Sequence, residues 1–219
     1  MNVLRRWWAA LLRRWRRRLR ADVERETGEV ASGRELDALA TALEVSRLTD
    51  EQFVQVLDTV RMLDESGAGV SVSGMSTQSL VDLIARASRE QLRALADHAE
   101  LREFLLSELF DRMAQHLVVD KTRHVDAVID WTLTSGDGEP SRYQTHIVEG
   151  SCETAQDLGL SPDVSITTTV DDFLRMATSG NSRALSLLVT GRVKVRGDYA
   201  VAARFLGYFD IPKPGVSPR

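Results

Sequence analysis

The segment from Pro162 to Pro212 has the sequence pattern of a strand, a helix, a strand and a helix in close succession. In residues 188–196, valines alternate with charged and polar side chains, which is the two-residue period of a strand with one buried face. Gly197 ends this strand, and Asp198 stands where a helix N-cap accepts the first free backbone amides. The pattern therefore predicts strands and helices that pack on one another in this part of the chain.

The two helices of this segment are both amphipathic. The first opens at Asp171 or Asp172, and its apolar residues Phe173 and Met176 recur at helical spacing. The two aspartates are interpreted as N-capping groups and not as a catalytic carboxylate pair, because neighbouring side chains on a helix do not converge. The second helix starts at Tyr199, and its apolar stripe is wide enough to contact two surfaces.

Upstream, the hydrophobic period changes from that of a helix to that of a strand at Val125. Alternation continues to Thr134, and the turn-forming residues 135–141 separate it from a second strand at residues 142–149. Residues 162–168 supply a further strand. We expect an α+β fold with a mainly antiparallel sheet covered by helices.

Together with a helix near Leu101, these elements resemble the sterol carrier protein type 2 (SCP2) domain, over about residues 101–212. The resemblance implies a fold that encloses a lipid in an apolar tunnel. It also implies that the inward-pointing residues line that tunnel: Trp131, Phe173, Met176, Leu185, Val193, Val195, Phe205, Leu206 and Phe209. Periodicity alone favours an ordinary hydrophobic core for five of them, and only the resemblance turns that core into a cavity: Trp131, Phe173, Met176, Phe205 and Phe209.

Residues 34–100 have the pattern of four or five short helices and contain no chemical motif. Thr49 with Gln52, and Ser88 with Gln91, have the spacing of capping boxes. The glycine-rich residues 67–74 lack the ending of a phosphate-binding loop and are interpreted as a linker. We expect this helical region to be a possible binding surface for a protein partner.

Residues 1–21 contain eight arginines and no acidic residue. Without them, 20 basic residues stand against 32 acidic ones, so the rest of the chain has a net charge of −12. On a helical wheel the tryptophans and leucines share one arc and the arginines fill the remainder. This pattern is typical of a helix that lies in the interface of an anionic membrane, with these contact residues: Trp7, Trp8, Leu11, Trp15, Arg5, Arg6, Arg13, Arg14 and Arg17.

Two other interpretations of residues 1–21 remain open. The tryptophans could dock on the acidic body of the protein itself, or arginine with aromatic residues could bind nucleic acid, which the acidic body would oppose. A membrane-spanning helix is excluded, because the longest uncharged internal run, residues 7–12, falls far short of the about 20 residues required. The same run is too short for a convincing secretion signal.

Nothing in the sequence has the spacing of a catalytic or metal-binding motif. The four histidines lack metalloprotease spacing, and Cys152 is the only cysteine, so an internal disulfide is impossible and a reducing compartment is the default. We therefore expect no catalytic residues, no metal and no cofactor, and the acidic body leads us to expect no nucleic-acid partner.

The sequence as a whole predicts three parts: a basic amphipathic helix with its linker (1–30), a helical region (34–100) and a lipid-binding domain (101–219). We expect a non-enzymatic, cytoplasmic and peripherally membrane-associated protein that binds a fatty acyl, isoprenoid or sterol-like lipid. The alternative is an interaction protein whose domain interior is filled by side chains, with the Arg/Trp helix as an address tag for a protein partner.

Overall fold

The computed structural model describes residues 33–68, 70–136, 138–179 and 186–215. The predicted N-terminal amphipathic helix, with its nine membrane-contact residues, therefore lies outside the described residues, as does Leu185. Six helices precede the sheet: α1 (Gly33–Ala42), α2 (Asp50–Glu65), α3 (Thr77–Arg86), α4 (Arg89–Asp97), α5 (Ala99–Gln115) and α6 (Val119–Thr122).

Local capping fixes where two of these helices begin. The Thr49 hydroxyl accepts a hydrogen bond from the Gln52 amide, while the Gln52 side chain accepts one from the Thr49 amide. Ser88 and Gln91 form the same reciprocal pair at the start of α4. Each pair satisfies two backbone amides that have no partner within the helix. Both predicted capping boxes are confirmed.

Five strands form one mixed sheet that is mostly antiparallel, which confirms the α+β fold class. The strands are β1 (Asp126–Thr134), β2 (Ser141–Val148), β3 (Ser151–Ala155), β4 (Val164–Thr169) and β5 (Lys194–Gly197). Their order across the sheet is β3-β2-β1-β4-β5, and only the β1–β4 pair is parallel. Helix α7 (Val170–Ser179) follows β4, and helix α8 (Tyr199–Phe205) follows β5.

Alternation along the central strands sets which face of the sheet is buried. On β1, Ile129, Trp131 and Leu133 are at most 2% exposed, whereas Asp130 and Thr132 between them are half-buried. On β4, Val164 and Ile166 are buried in the same way. Successive side chains of a strand point to opposite faces, so one face of the sheet carries the core. The predicted buried faces of both strands are confirmed.

Two strands differ from the sequence expectation. Residues 186–189 are helical, Val189 is 80% exposed, and β5 begins only at Lys194, so a strand from residue 188 was wrong. The Thr190 hydroxyl donates to the Ser186 carbonyl and Gly191 has φ +70°, and both features end a helix. The short strand β3, which holds Cys152, was not predicted.

The hydrophobic core runs without a break from α1 through the sheet to α8. Helices α3 and α4 both pack against α7, which follows the central strand β4. Two buried arginines of α5 add polar contacts: Arg102 donates to the Ala96 carbonyl at 2.8 Å, and Arg112 donates to the Val72 carbonyl at 2.7 Å. The predicted division near residue 100 stays a prediction, and a shared core crosses it.

Candidate functional site

Aromatic rings from three helices and the central strand meet in the interior, on the buried face of the sheet. The ring of Trp131 on β1 lies 5.4 Å from that of Phe173 on α7 and 5.2 Å from that of Phe205 on α8, centroid to centroid. Phe209 follows at 5.0 Å from Phe205. Four of the residues that the SCP2 resemblance assigned to lipid lining are therefore neighbours in space. We call these four residues, together with Phe110, the aromatic cluster.

The remaining predicted lining residues lie at different depths. Met176 and Val193 are buried, at 5% and 7% exposure. Val195 and Leu206 are half-buried and pack against the core. The structure thus brings the aromatic members of the predicted set into contact and places the aliphatic ones around them.

Phe110 of α5 is a central member that the sequence analysis missed. Its ring lies 5.2 Å from Phe173, 6.0 Å from Trp131 and 4.7 Å from Tyr143 of β2. A signal was present, because Leu106, Leu109, Phe110 and Met113 have the i, i+3, i+4, i+7 spacing of a buried helix face. Phe110 connects α5 to the strands and to α7.

Hydrogen bonds satisfy the polar groups of the aromatic side chains Trp131 and Tyr143. The Trp131 indole Nε1 donates to the Thr145 hydroxyl at 3.0 Å, and that hydroxyl lies 2.9 Å from the hydroxyl of Thr154. The Tyr143 hydroxyl donates to Glu103 at 3.0 Å. Burial raises the pKa of Tyr143, and the nearby Glu103 carboxylate raises it further. Tyr143 therefore stays protonated and acts as a hydrogen-bond donor.

A buried ion pair ties the start of α7 to the segment before β5. Nη2 of Arg192 lies 2.6 Å from Oδ2 of Asp172 and 3.7 Å from Oδ2 of Asp171, and both aspartates are at most 4% exposed. The helix begins at Val170, earlier than expected, and the hydroxyl of Thr169 accepts from the Asp172 amide at 3.4 Å. The aspartates therefore bind Arg192, and the capping contact comes from Thr169.

A cavity of about 400 Å³ lies between α5 and β3. Phe110 is one of its walls, so the cavity touches the aromatic cluster through this ring. Its other walls include Glu108, Arg112 and Cys152. Burial raises the pKa of Glu108, and it raises that of the Cys152 thiol to about 11. A volume in this range is typical of small-molecule sites, which measure roughly 300–1,000 Å³.

Three of the four histidines make structural contacts, and the fourth, His124, is exposed. Nδ1 of His98 accepts from the Leu101 amide at the start of α5, His116 lies 3.1 Å from the Thr77 hydroxyl, and His146 lies 2.9 Å from Asp126. Within the described ranges, no group of three or more His, Cys, Asp or Glu side chains is placed to hold a metal ion. In those same ranges, no helix has the length and apolar character needed to cross a bilayer.

Comparison with known proteins matches the segment that contains the sheet to a family. Residues 106–210 match the sequence profile of the SCP-2 sterol transfer family. This part of the chain is an SCP2-like domain, as the sequence resemblance predicted. It contains all five rings of the aromatic cluster and every wall of the cavity between α5 and β3 except Ser73.

The solved structures that match this chain are distant in sequence. A ubiquinone synthesis protein, UbiJ-SCP2, is 12% identical, with 49% of this chain and 94% of that one covered and a TM-score of 0.41. Palmitated SCP2L2 from Aedes aegypti is 18% identical, with coverages of 48% and 90% and a TM-score of 0.38.

A third similar structure is that of an enzyme, the inverting sec-alkylsulfatase Pisa1 from Pseudomonas sp.. It is 15% identical, with 91% of this chain but only 34% of the sulfatase covered and a TM-score of 0.40. A comparison with curated protein sequences found no match. The family match supports lipid binding or transfer as the general role of residues 106–210.

Proposed function

We propose that this protein binds an apolar lipid, of the fatty acyl, isoprenoid or sterol-like class, in the interior of its SCP2-like domain without catalysing a reaction. The observation that carries this proposal is the aromatic cluster, in which Trp131, Phe173 and Phe205 form a buried apolar centre inside the family-matched segment. Transfer of ligand surface out of water supplies the driving force, at about 25 cal/mol per Å².

Entry of the ligand requires the rings to separate, because the cluster is closely packed. Phe110 is the natural point of entry, since its ring is shared between the cluster and the cavity between α5 and β3. Displacement of this ring would begin to open the cluster toward the cavity. The polar walls of the cavity, Glu108 and Arg112, would then lie at the end of the ligand nearest to water.

The membrane part of the proposal rests on residues 1–21. Their eight arginines attract an anionic surface, with each charge worth about 1 kcal/mol near it, and their tryptophans favour the interfacial depth. The protein would be a peripheral membrane protein facing the cytoplasm, where its single thiol stays reduced. Ligand binding and membrane contact would then belong to one carrier mechanism.

The test of lipid binding uses the full chain in two measurements. Native mass spectrometry before and after organic extraction should show a co-purifying lipid that extraction removes. Titration of the extracted protein with a fluorescent fatty acid should then give saturable binding of one ligand per chain. Absence of a bound lipid together with absence of saturable binding would contradict the proposal.

Vesicle sedimentation tests the membrane part separately. Full-length protein should sediment with anionic vesicles and not with zwitterionic ones. Replacing the arginines should weaken binding mainly at low salt, because charge attraction is screened over about 8 Å at physiological ionic strength. Replacing Trp7, Trp8 and Trp15 with Ala should remove the binding that survives high salt. Binding indifferent to anionic lipid would contradict the membrane proposal alone.

A second candidate function is favoured by the ring contacts themselves. Centroid distances of 5.0–5.4 Å within the cluster are those of rings already packed against one another, as in a filled core. In that case the domain is a rigid platform, and the protein acts by binding a protein partner through residues 34–100. Failure of the extracted protein to bind the fluorescent fatty acid would favour this candidate.

A further inference from the structure

An apolar groove lies in the helical region, away from the aromatic cluster. Its 17 lining residues come from helices α1 to α5 and the segments between them, and every one of these side chains is hydrophobic. Leu39, Leu43, Leu57, Val60 and Phe104 are half-buried and form the part of the lining that reaches the surface. Residues 34–105 thus present an apolar surface that their own helices do not fully cover.

The shape of the groove favours side chains over a free lipid. The space within it is about 60 Å³, well below the roughly 300–1,000 Å³ of small-molecule sites. A partly open groove between helices is the surface on which an amphipathic helix docks, with its apolar residues inserted at helical spacing.

Three carboxylates cluster on α2 and at the start of α5, the helices that supply Leu57 and Leu101 to the groove. Arg61 of α2 lies 2.8 Å from Asp58, 2.7 Å from Glu65 and 2.8 Å from Glu100, so three carboxylates share one guanidinium. Asp58 follows the lining residue Leu57 in sequence, and Glu100 precedes Leu101, which also lines the groove. Glu65 and Glu100 are 53% and 73% exposed, so both remain accessible to a further cation.

The net charge of the helices around these carboxylates is also negative. Residues 33–66, which include α1 and α2, hold eight acidic and three basic residues, a net charge of −5. A cationic partner with an apolar stripe therefore complements this surface in both charge and polarity.

We propose that residues 1–21 of the same chain dock on this groove when no membrane is present. Their tryptophans and leucines would lie against Leu39, Leu57 and Val60, and their arginines would face the carboxylates around Arg61. Because the same tryptophan face inserts into a membrane under the proposed function, membrane and groove would compete for it. Docking itself does not depend on lipid carriage.

Chain length permits this contact. The first described residue, Gly33, opens α1, and α1 is itself one wall of the groove. Residues 22–32 are a connection that spans at most about 36–40 Å when extended. Since the docking segment is tethered beside its surface, its effective concentration is high, and modest affinity is sufficient.

The experiment measures acrylamide quenching of tryptophan fluorescence in the full chain without vesicles. Trp131 also fluoresces, but it is 2% exposed and should be quenched little. A variant with Trp7, Trp8 and Trp15 replaced by Phe measures the Trp131 signal, which is then subtracted. In the wild type, the N-terminal tryptophans should be quenched much less than those of a synthetic peptide of residues 1–21. Leu57→Gln should raise their quenching constant to that of the peptide.

Two variants give the controls. Met62→Gln changes a 57% exposed residue of α2 that does not line the groove, and its quenching should match the wild type. The double variant Glu65→Gln with Glu100→Gln leaves the apolar lining intact and should raise quenching by an amount that high salt reproduces in the wild type. This second variant keeps the test valid if Leu57→Gln does not fold.

Three outcomes would overturn the proposal. The first is quenching in the wild type equal to that of the free peptide. The second is a dimer that Leu57→Gln dissociates, which would make a second copy the occupant. The third is loss of fluorescent fatty acid binding in Leu57→Gln with unchanged quenching, which would make the groove a lipid site. Failure of vesicle binding alone would remove the competition with the membrane but not the docking.

Discussion

The guanidinium of Arg192 lies 2.6 Å from the carboxylate of Asp172, a side chain that is 1% exposed at the start of α7. The contact joins the segment before β5 to the helix that carries Phe173. It therefore holds one wall of the aromatic cluster in place.

Replacement of Arg192 with Ala should destabilise the protein by about 2–3 kcal/mol, because it leaves two buried carboxylates without their cation. This value lies below the about 3–5 kcal/mol typical of fully buried pairs, since the Arg192 side chain is 31% exposed. Urea denaturation measures the change. Arg196→Ala, an exposed residue of β5, should stay within about 0.5 kcal/mol of the wild type. Equal midpoints for the two variants would contradict this role for Arg192.

Phe205 distinguishes the two candidate functions. Phe205→Asp should abolish fatty acid binding, because an unpaired carboxylate in an apolar interior costs several kcal/mol. Phe205→Leu should fold with a loss of about 1–2 kcal/mol and should still bind. Fluorescence titration of each folded variant gives the answer. If the interior is filled, neither the wild type nor Phe205→Leu will bind, because exchange of Phe for Leu opens far less space than an acyl chain occupies.

Cys152 should react slowly with alkylating reagents. Burial raises its pKa to about 11, so little thiolate is present at pH 8. The rate with iodoacetamide should be roughly ten- to a hundredfold below that of an exposed cysteine, and it should recover in denaturant. Alkylation followed by mass spectrometry over pH 7–11 measures it. A rate that levels off near pH 8.5 in the folded protein would contradict the expectation.

Glu108 should make stability depend on pH. Burial raises the pKa of Glu108 in the folded state above its value in the unfolded state. Protonation of Glu108 therefore favours the folded state in acid, and this stabilisation is lost as pH rises through the folded pKa. Glu108→Gln should therefore be more stable than the wild type at pH 7, and the difference should shrink toward pH 4. Thermal denaturation at several pH values tests this expectation.

Glu51 of α2 provides a control of opposite sign. Its own backbone amide and the Thr49 hydroxyl lower its pKa, so its contribution is present at neutral pH and is lost as pH falls through the folded pKa. Glu51→Gln should thus be less stable than the wild type at pH 7, with a difference that vanishes in acid. The same sign of change in both variants would contradict the assignment of Glu108.

Hydrophobic periodicity was sufficient to predict the buried residues of segments that have one buried face. The alternation of β1 placed Ile129, Trp131 and Leu133 correctly, because every second side chain of this strand enters the core. It failed at Val189, where a valine and a glycine at strand spacing belong to a helix end and a turn. A window this short does not distinguish a strand from the last turn of a helix followed by a turn, because too few residues are present to show either period.

No sequence pattern predicted the polar contacts of the interior. Arg102 donates to Ser135 and Ser141, residues 33 and 39 positions away along the chain. Such contacts depend on the tertiary arrangement of α5 against the sheet, and an arginine on a helix is usually exposed. For Phe110, the sequence pattern predicts a buried helix face, but it does not predict the contacts of the ring with Trp131 on β1 and Phe173 on α7.

The parallel pairing of β1 with β4 has a consequence for the order of folding. Ile129 pairs with Val164 across 35 residues, whereas β1 and β2 form a local hairpin. Loop closure entropy makes the distant pairing the slower event. We expect the hairpin to form first and the ring of Phe173 to reach Trp131 only after β4 has joined, an order that pulsed hydrogen exchange would resolve. An apolar ligand present during synthesis would then meet an interior that is still open on one side, so the nascent chain is the state in which loading faces the lowest barrier.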